Sequence, residues 1–225
     1  MKLDFGYPIL SRYLSNLKSN SVITLFSYND MGQTDFALNI VANLVSNNDC
    51  DVLYLSNISY SDELIYKLNL SRDLTNYLYK LTIKHIRNAN DAFILIRDFP
   101  DTNRKKIVFL DRFISLNEEI VKLCSKKNIL LFIVADVNHN YLYNGSNVML
   151  HELDPSLASI SNCVMSIFKE NYFEENLEED FVYIDVLKLE NHELGIIKYK
   201  YNYEKNHFKE EGIEELKLND DDIPF

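Results

Sequence analysis

An α/β fold, with a mostly parallel central sheet flanked by helices, is what this 225-residue sequence predicts. Three observations carry the prediction. Short apolar, β-branched runs alternate with segments of helical spacing through the first two thirds of the chain. Those runs are apolar at nearly every position, as expected of strands covered on both faces. In the last third the pattern changes to alternate apolar and polar residues, which predicts antiparallel strands at the C-terminal end.

Taken in order, Ile9, Leu10, Tyr13, Leu14 and Leu17 share one face and predict an amphipathic helix over residues 9–17. Val22–Ser27 is the first strand, and Thr34–Ser46 is a helix with Phe36, Ile40 and Leu44 on one face. Val52–Ser56 is the second strand, and Ser61–Leu70 and Leu74–Arg87 both carry helical spacing. Ile107–Leu110 and Ile129–Ala135 are strands, with a helix at Asn117–Lys126 between them. Val164–Phe168, Phe181–Leu189, Ile196–Tyr203 and His207–Lys209 alternate as antiparallel strands, interrupted by an acidic loop at Glu170–Asp180. From about Glu210 the apolar content thins. One domain over residues 1–209 is therefore expected, with an acidic, disordered tail over 210–225.

Composition narrows the function. Hydrophobic residues make up 47% and aromatics 12%, enough for a substantial core. The net charge is −11; seven acidic and two basic residues from Lys209 onward contribute −5, leaving −6 on the rest. That balance excludes a broad basic surface for gripping phosphate backbones. Arg104-Lys105-Lys106 reads as a solvated loop before a strand, and direct contact with DNA is left open. Cys50, Cys124 and Cys163 lie far apart without a CxxC pair, so a reducing compartment is expected, with no zinc site and no disulfide framework. The five histidines have no metal-ligand spacing. The stripe Tyr183, Tyr199, Tyr201, Tyr203 is read as packing on a sheet face. No signal peptide opens the chain, and Ile129–Ala135, the longest apolar run, is too short to span a bilayer. A cytoplasmic chain without a membrane partner is the expectation.

The turn between the first strand and the helix after it is where a phosphate-binding loop belongs. Its full pattern, G-x-x-x-x-G-K-[ST], wraps backbone N–H groups around phosphates and sets a lysine on the outer ones. Here the stretch Ser27-Tyr28-Asn29-Asp30-Met31-Gly32-Gln33-Thr34 keeps the spacing, but has Ser for the first Gly and Gln for the Lys.

What surrounds this turn resembles the C-terminal, RecA-like domain of the replicative DnaB-type helicase. The run from Thr24 to Ile40 is similar to that family's Met-Gly-Lys-Thr turn and the following helix with its Phe-Ala and Asn. Val52-Leu53-Tyr54-Leu55-Ser56 matches the second strand, and Ile107-Val108-Phe109-Leu110-Asp111 matches the Walker B strand. Ile133-Val134-Ala135-Asp136-Val137-Asn138 falls on the strand carrying the family's sensor Gln. Cys163-Val164-Met165 and Lys188–Lys198, with Gly195, fit the closing strands. The resemblance runs from about residue 6 to 209 and implies a helicase domain without the family's N-terminal domain.

It also implies which parts are missing. Gln33 stands at the phosphate-contacting Lys, Ile58 at the catalytic Glu, Asp136 at the sensor Gln and Glu190 at the arginine finger. Losing an arginine finger alone costs about 10³–10⁵ in rate. Gly32, Thr34, Asp111 and Lys188 match the family and mark a degenerate nucleotide site. A pseudo-ATPase without catalytic residues is expected. No cofactor is expected, ATP with Mg²⁺ being the one candidate. The residues alone leave open a divergent DNA-dependent ATPase, with Lys105-Lys106 or Lys126-Lys127 in place of the lost lysine.

A second resemblance lies in Asp220-Asp221-Asp222-Ile223-Pro224-Phe225, which is similar to the terminal peptide of bacterial single-stranded DNA-binding protein. The acidic run suits a basic patch, the Phe ring an apolar pocket and its carboxylate an Arg or Lys, while Pro restrains the backbone. This implies partners that read that peptide: primosome, helicase-loading, clamp-loader or recombination proteins. The core implies a replicative helicase ring as a further partner, to be joined or inhibited. A mobile element is a source that fits such recruitment.

Overall fold

The computed structural model describes residues 3–29, 31–112, 118–137, 148–169, 180–189 and 194–214. Val22–Ser27 (β1) and Cys50–Ser56 (β2) are buried at every position, as their unbroken apolar character requires. With Leu81–His85 (β3), Lys105–Asp111 (β4) and Ile129–Asp136 (β5) they form the parallel part of one sheet. Cys163–Lys169 (β6) adds in parallel to β1. Asp180–Leu189 (β7), Gly195–Asn202 (β8) and His207–Glu214 (β9) then add as an antiparallel meander. The strand order is β3-β2-β4-β5-β1-β6-β7-β8-β9.

The helices follow from right-handed crossovers between parallel strands. Gln33–Asn47 (α2, after the short α1 at Pro8–Tyr13) and Ser61–Ser71 (α3) follow β1 and β2, moving outward to β3, and pack on each other. Ala89–Arg97 (α4) and Glu118–Lys126 (α5) return toward the centre and cover the opposite face as a second pair. Pro155–Ile160 (α6) lies near β1 on that side, where Thr24 and Ser161 share a hydroxyl contact of 2.7 Å. Tyr54, Phe109 and Phe132 stack across β2, β4 and β5. Tyr7, Phe36, Tyr199 and Phe208 interlock where α1 and α2 meet the meander, so the two parts of the sheet share one core.

Two expectations are corrected. Leu74–Arg87 is not a helix: a short 3₁₀ turn at Thr75–Lys80 leads into β3. As an edge strand, β3 alternates half-buried and exposed positions, and Leu81 and Ile83 imitate one helical turn when read with Tyr77 and Leu78. The last strand runs to Glu214, so residues 210–214, assigned above to the tail, are part of the sheet. Glu210 is structural there: its carboxylate accepts from the N–H groups of Ile9 (2.8 Å) and Leu10 (3.1 Å) at the start of α1. The acidic loop, Glu190 and the peptide Asp220–Phe225 fall outside the described residues. Among the described residues no helix is long and apolar enough to cross a membrane.

Candidate functional site

The C-terminal ends of β1, β2, β4 and β5 place Ser27, Ser56, Asp111 and Asp136 along one edge of the sheet. Ligands bind outside that edge in open parallel sheets, because the loops and helix N-termini converge there. Gly32 makes the turn from β1 into α2 with φ +91°, a left-handed conformation that glycine adopts without strain. Phe36 N–H closes the first turn onto Gly32 carbonyl at 2.8 Å, and no side chain caps the helix.

A cleft of about 380 Å³ opens at this turn, lined by Gly32, Gln33, Thr34 and Ile58 among others. Thr34 Oγ1 donates to Asp111 Oδ1 at 3.0 Å, and Ser56 Oγ donates to Asp111 Oδ2 at 3.0 Å. Burial pushes the Asp111 carboxyl above its usual range, against the pull of those two hydroxyls. A hydroxyl and a carboxylate at this spacing are oxygen donors of the kind a divalent cation takes.

Gln33 behaves differently from a phosphate-binding lysine. Its side chain is fully buried, and Nε2 donates to Asp136 Oδ1 at 3.1 Å and loosely to Tyr28 carbonyl at 3.5 Å. Its Oε1 has no hydrogen-bond partner among the described residues. The amide is thus turned into the ends of β1 and β5. Arg112, held at φ +51° with its N–H on Val134 carbonyl (2.8 Å), brings its guanidinium within 3.8 Å of Asp136. Ile58 is half-exposed at the cleft mouth and offers no group that orients water.

Sequence reasoning missed the cations of the cleft: Lys67 from α3, Arg112 after β4 and Lys169 at the end of β6. Each is met by a carboxylate, Lys67 by Asp35 at 3.1 Å, Arg112 by Asp136 and Lys169 by Asp180 at 3.7 Å. Lys169 Nζ also donates to Tyr203 hydroxyl at 3.2 Å, and that hydroxyl donates to Asp180. Asn206 fixes this wall: its carbonyl accepts from Asn39 (2.7 Å), its amide donates to Lys67 carbonyl (3.2 Å), and its Oδ1 accepts from Tyr201 (2.9 Å). No local signal marks these cations, since they come from three separate elements.

The lysines proposed from sequence to replace the lost one lie elsewhere. Lys105 and Lys106 open β4, at the far end of the strand from Asp111. Lys127 donates to the carbonyls of Ile96, Arg97 and Phe99 at the end of α4, and Lys126 is exposed in the last turn of α5. Lys188 is likewise away from the cleft of its own chain. It pairs with Val164 near the start of β6 and donates to Ala158 carbonyl at 2.8 Å.

With this geometry in hand, comparison with solved structures decides the fold. The chain superposes on a solved helicase ATPase domain with a TM-score of 0.78 and 16% identity, covering 92% of this chain and 90% of that one. It superposes on a DnaB-like replicative helicase, solved in a study of its interactions with primase, with a TM-score of 0.75 and 15% identity. The fold is that of a DnaB-like helicase ATPase domain. In the second case 92% of this chain is covered but only 61% of the helicase. No protein-family profile and no curated protein sequence matches the chain. Within this DnaB-like fold, the turn at Gly32 to Thr34 and the strand end at Asp111 occupy one cleft, as the sequence expected.

Proposed function

We propose that this is a catalytically inactive, helicase-related RecA-like protein that acts in DNA replication or repair by recruitment. The observation that supports inactivity is the pairing of Gln33 with Asp136. At the position where the fold would set a cation, a neutral amide is held by a carboxylate. Asp136 would repel phosphate, and the cleft's three cations are each already offset by an acidic side chain. A nucleoside triphosphate does not fit such a set: the oxygen donors for a metal remain, but the phosphate clamp does not. With no residue to polarise water at Ile58, hydrolysis has no base.

Recruitment rests on Asp220–Phe225, whose resemblance to the peptide of single-stranded DNA-binding protein fits capture by proteins that read that peptide. Two measurements test the proposal. Phosphate release, with and without single-stranded DNA, should stay at background; turnover typical of motor ATPases, lost on Asp111→Ala, would overturn inactivity. Purified primosome, helicase-loading, clamp-loader and recombination proteins should include one that binds the intact chain and not the chain lacking Phe225. Equal binding of both chains by every such protein would remove the peptide from the function.

A further inference from the structure

The meander has two faces, and α1 and α2 cover only one. On the other, Phe168, Tyr183 and Lys198 are in register across β6, β7 and β8, and Phe181, Lys200 and Lys209 are in register across β7, β8 and β9. Tyr183 and Phe181 are two residues apart on one strand, so all six side chains share a face. Phe168 stacks on Tyr183 at 5.1 Å, and Lys198 Nζ lies 4.2 Å from the Phe181 ring centre. Phe168, Phe181, Lys198 and Lys200 are half-buried and Lys209 is exposed.

The charge of this face runs against that of the chain. Three lysines stand with two carboxylates, Glu211 and Asp185, on a chain of net charge −11. A hydrogen bond from Lys209, with Lys200 and Lys198 behind it, holds the Glu211 carboxyl below its usual range. An aromatic surface set with lysines suits an acidic ligand that ends in an aromatic ring. The chain carries one: residues 215–225 contain Glu215, Asp220, Asp221, Asp222 and Phe225 against a single cation, Lys217. They follow Glu214, which pairs with Ile196 on the neighbouring strand. Lys200 lies about 13 Å along β8 from that point. Residues 215–222 reach about 26 Å when extended, so the acidic run and the ring after it span the distance.

We propose that the acidic segment 215–225 folds back onto this lysine–aromatic sheet face, with Asp220–Asp222 on the lysines and Phe225 against the aromatic side chains. This extends the reading of Asp220–Phe225 as a docking peptide: the domain holds its own peptide until a partner of higher affinity takes it. Intramolecular capture needs little intrinsic affinity, because a short tether keeps the effective concentration near millimolar.

The chain contains no tryptophan, so Phe225→Trp in the full-length protein introduces a single reporter. Its emission should be shifted to the blue of that of a free peptide with the sequence of residues 215–225 and the same substitution. The shift should vanish at about 1 M salt, where the Debye length falls to ~3 Å. It should also vanish in Lys198→Glu/Lys200→Glu, and in the milder Lys198→Gln/Lys200→Gln, with circular dichroism confirming that each variant stays folded. Emission equal to the free peptide in low salt would overturn the proposal. So would a blue shift that survives in folded variants lacking the lysine charges. A separate arm, capture by a protein that reads the peptide, should rise about threefold or more when the lysines are neutralised, because the competent fraction rises. No rise, beside a confirmed blue shift, would show that the contact does not restrain docking. Loss of all capture with the fold-back intact would instead sink the docking reading alone.

Discussion

At residue 33 a side chain that normally reaches outward is turned inward. Gln33 is fully buried, and its amide ties the start of α2 to Asp136 at the end of β5. Gln33→Ala should cost about 1–3 kcal/mol in urea denaturation, because Asp136 loses a donor inside the protein. Gln33→Lys alone should not create nucleotide binding, since a lysine placed there would be neutralised by Asp136. Gln33→Lys with Asp136→Gln is the combination that should restore measurable affinity for a fluorescent ATP analogue; binding by the single variant would contradict the coupling. Asp111 gives a pH test. Burial raises its carboxyl above the usual range, so the folded chain holds that proton more tightly than the unfolded one. Its contribution to stability is therefore full below the ordinary carboxylate range and is lost as pH rises through the raised value. Asp111→Asn should flatten that decline, and equal slopes for the two proteins would count against the assignment.

At the scale of elements, α1 is held by contacts remote in sequence. Glu210 on β9 accepts from two N–H groups of α1, and also from Tyr199 hydroxyl at 3.3 Å. Glu210→Ala should cost about 1–2 kcal/mol and speed amide exchange in α1 before the rest of the domain. Gly6, at φ +82°, leads into this helix, and a Cβ there would stand 2.1 Å from Asn43. Gly6→Ala should therefore destabilise by about 1–3 kcal/mol, visible as a lowered Tm. Asp185, half-buried in β7, is pushed up to about 6 by burial. Its ionisation opposes folding as pH rises from the ordinary carboxylate range to about 6, so Asp185→Asn should stabilise the protein at pH 7 by ~1 kcal/mol after solvent screening. These elements also show where periodicity stops being informative. β3 was hidden because an edge strand one turn after a 3₁₀ segment shows no clean alternation, and the end of β9 because Lys209–Glu214 is charged except at Gly212 and Ile213.

For the whole molecule, one core runs from the parallel sheet into the meander, and all three cysteines lie within it. Burial pushes Cys50, Cys124 and Cys163 each up to about 12. The folded chain should therefore react negligibly with a thiol reagent at neutral pH, and with three equivalents once unfolded. Rapid labelling of the native protein would mean that the core opens far more readily than its packing implies. The buried strands of the parallel sheet and helix α2 were legible in the sequence because burial on both faces, or on one helical stripe, leaves a local pattern. By itself the sequence determined the alternation of strands and helices, the place of the loop at Gly32, and the residue types at 33, 58, 111 and 136. Only the tertiary structure decided that Gln33 and Asp136 hold each other, and that Lys67, Arg112 and Lys169 meet in one cleft with their carboxylates. It also set Lys188 away from that cleft. The reason is that such neighbours are set by strand order and crossover hand, which join residues far apart along the chain and leave no local periodicity.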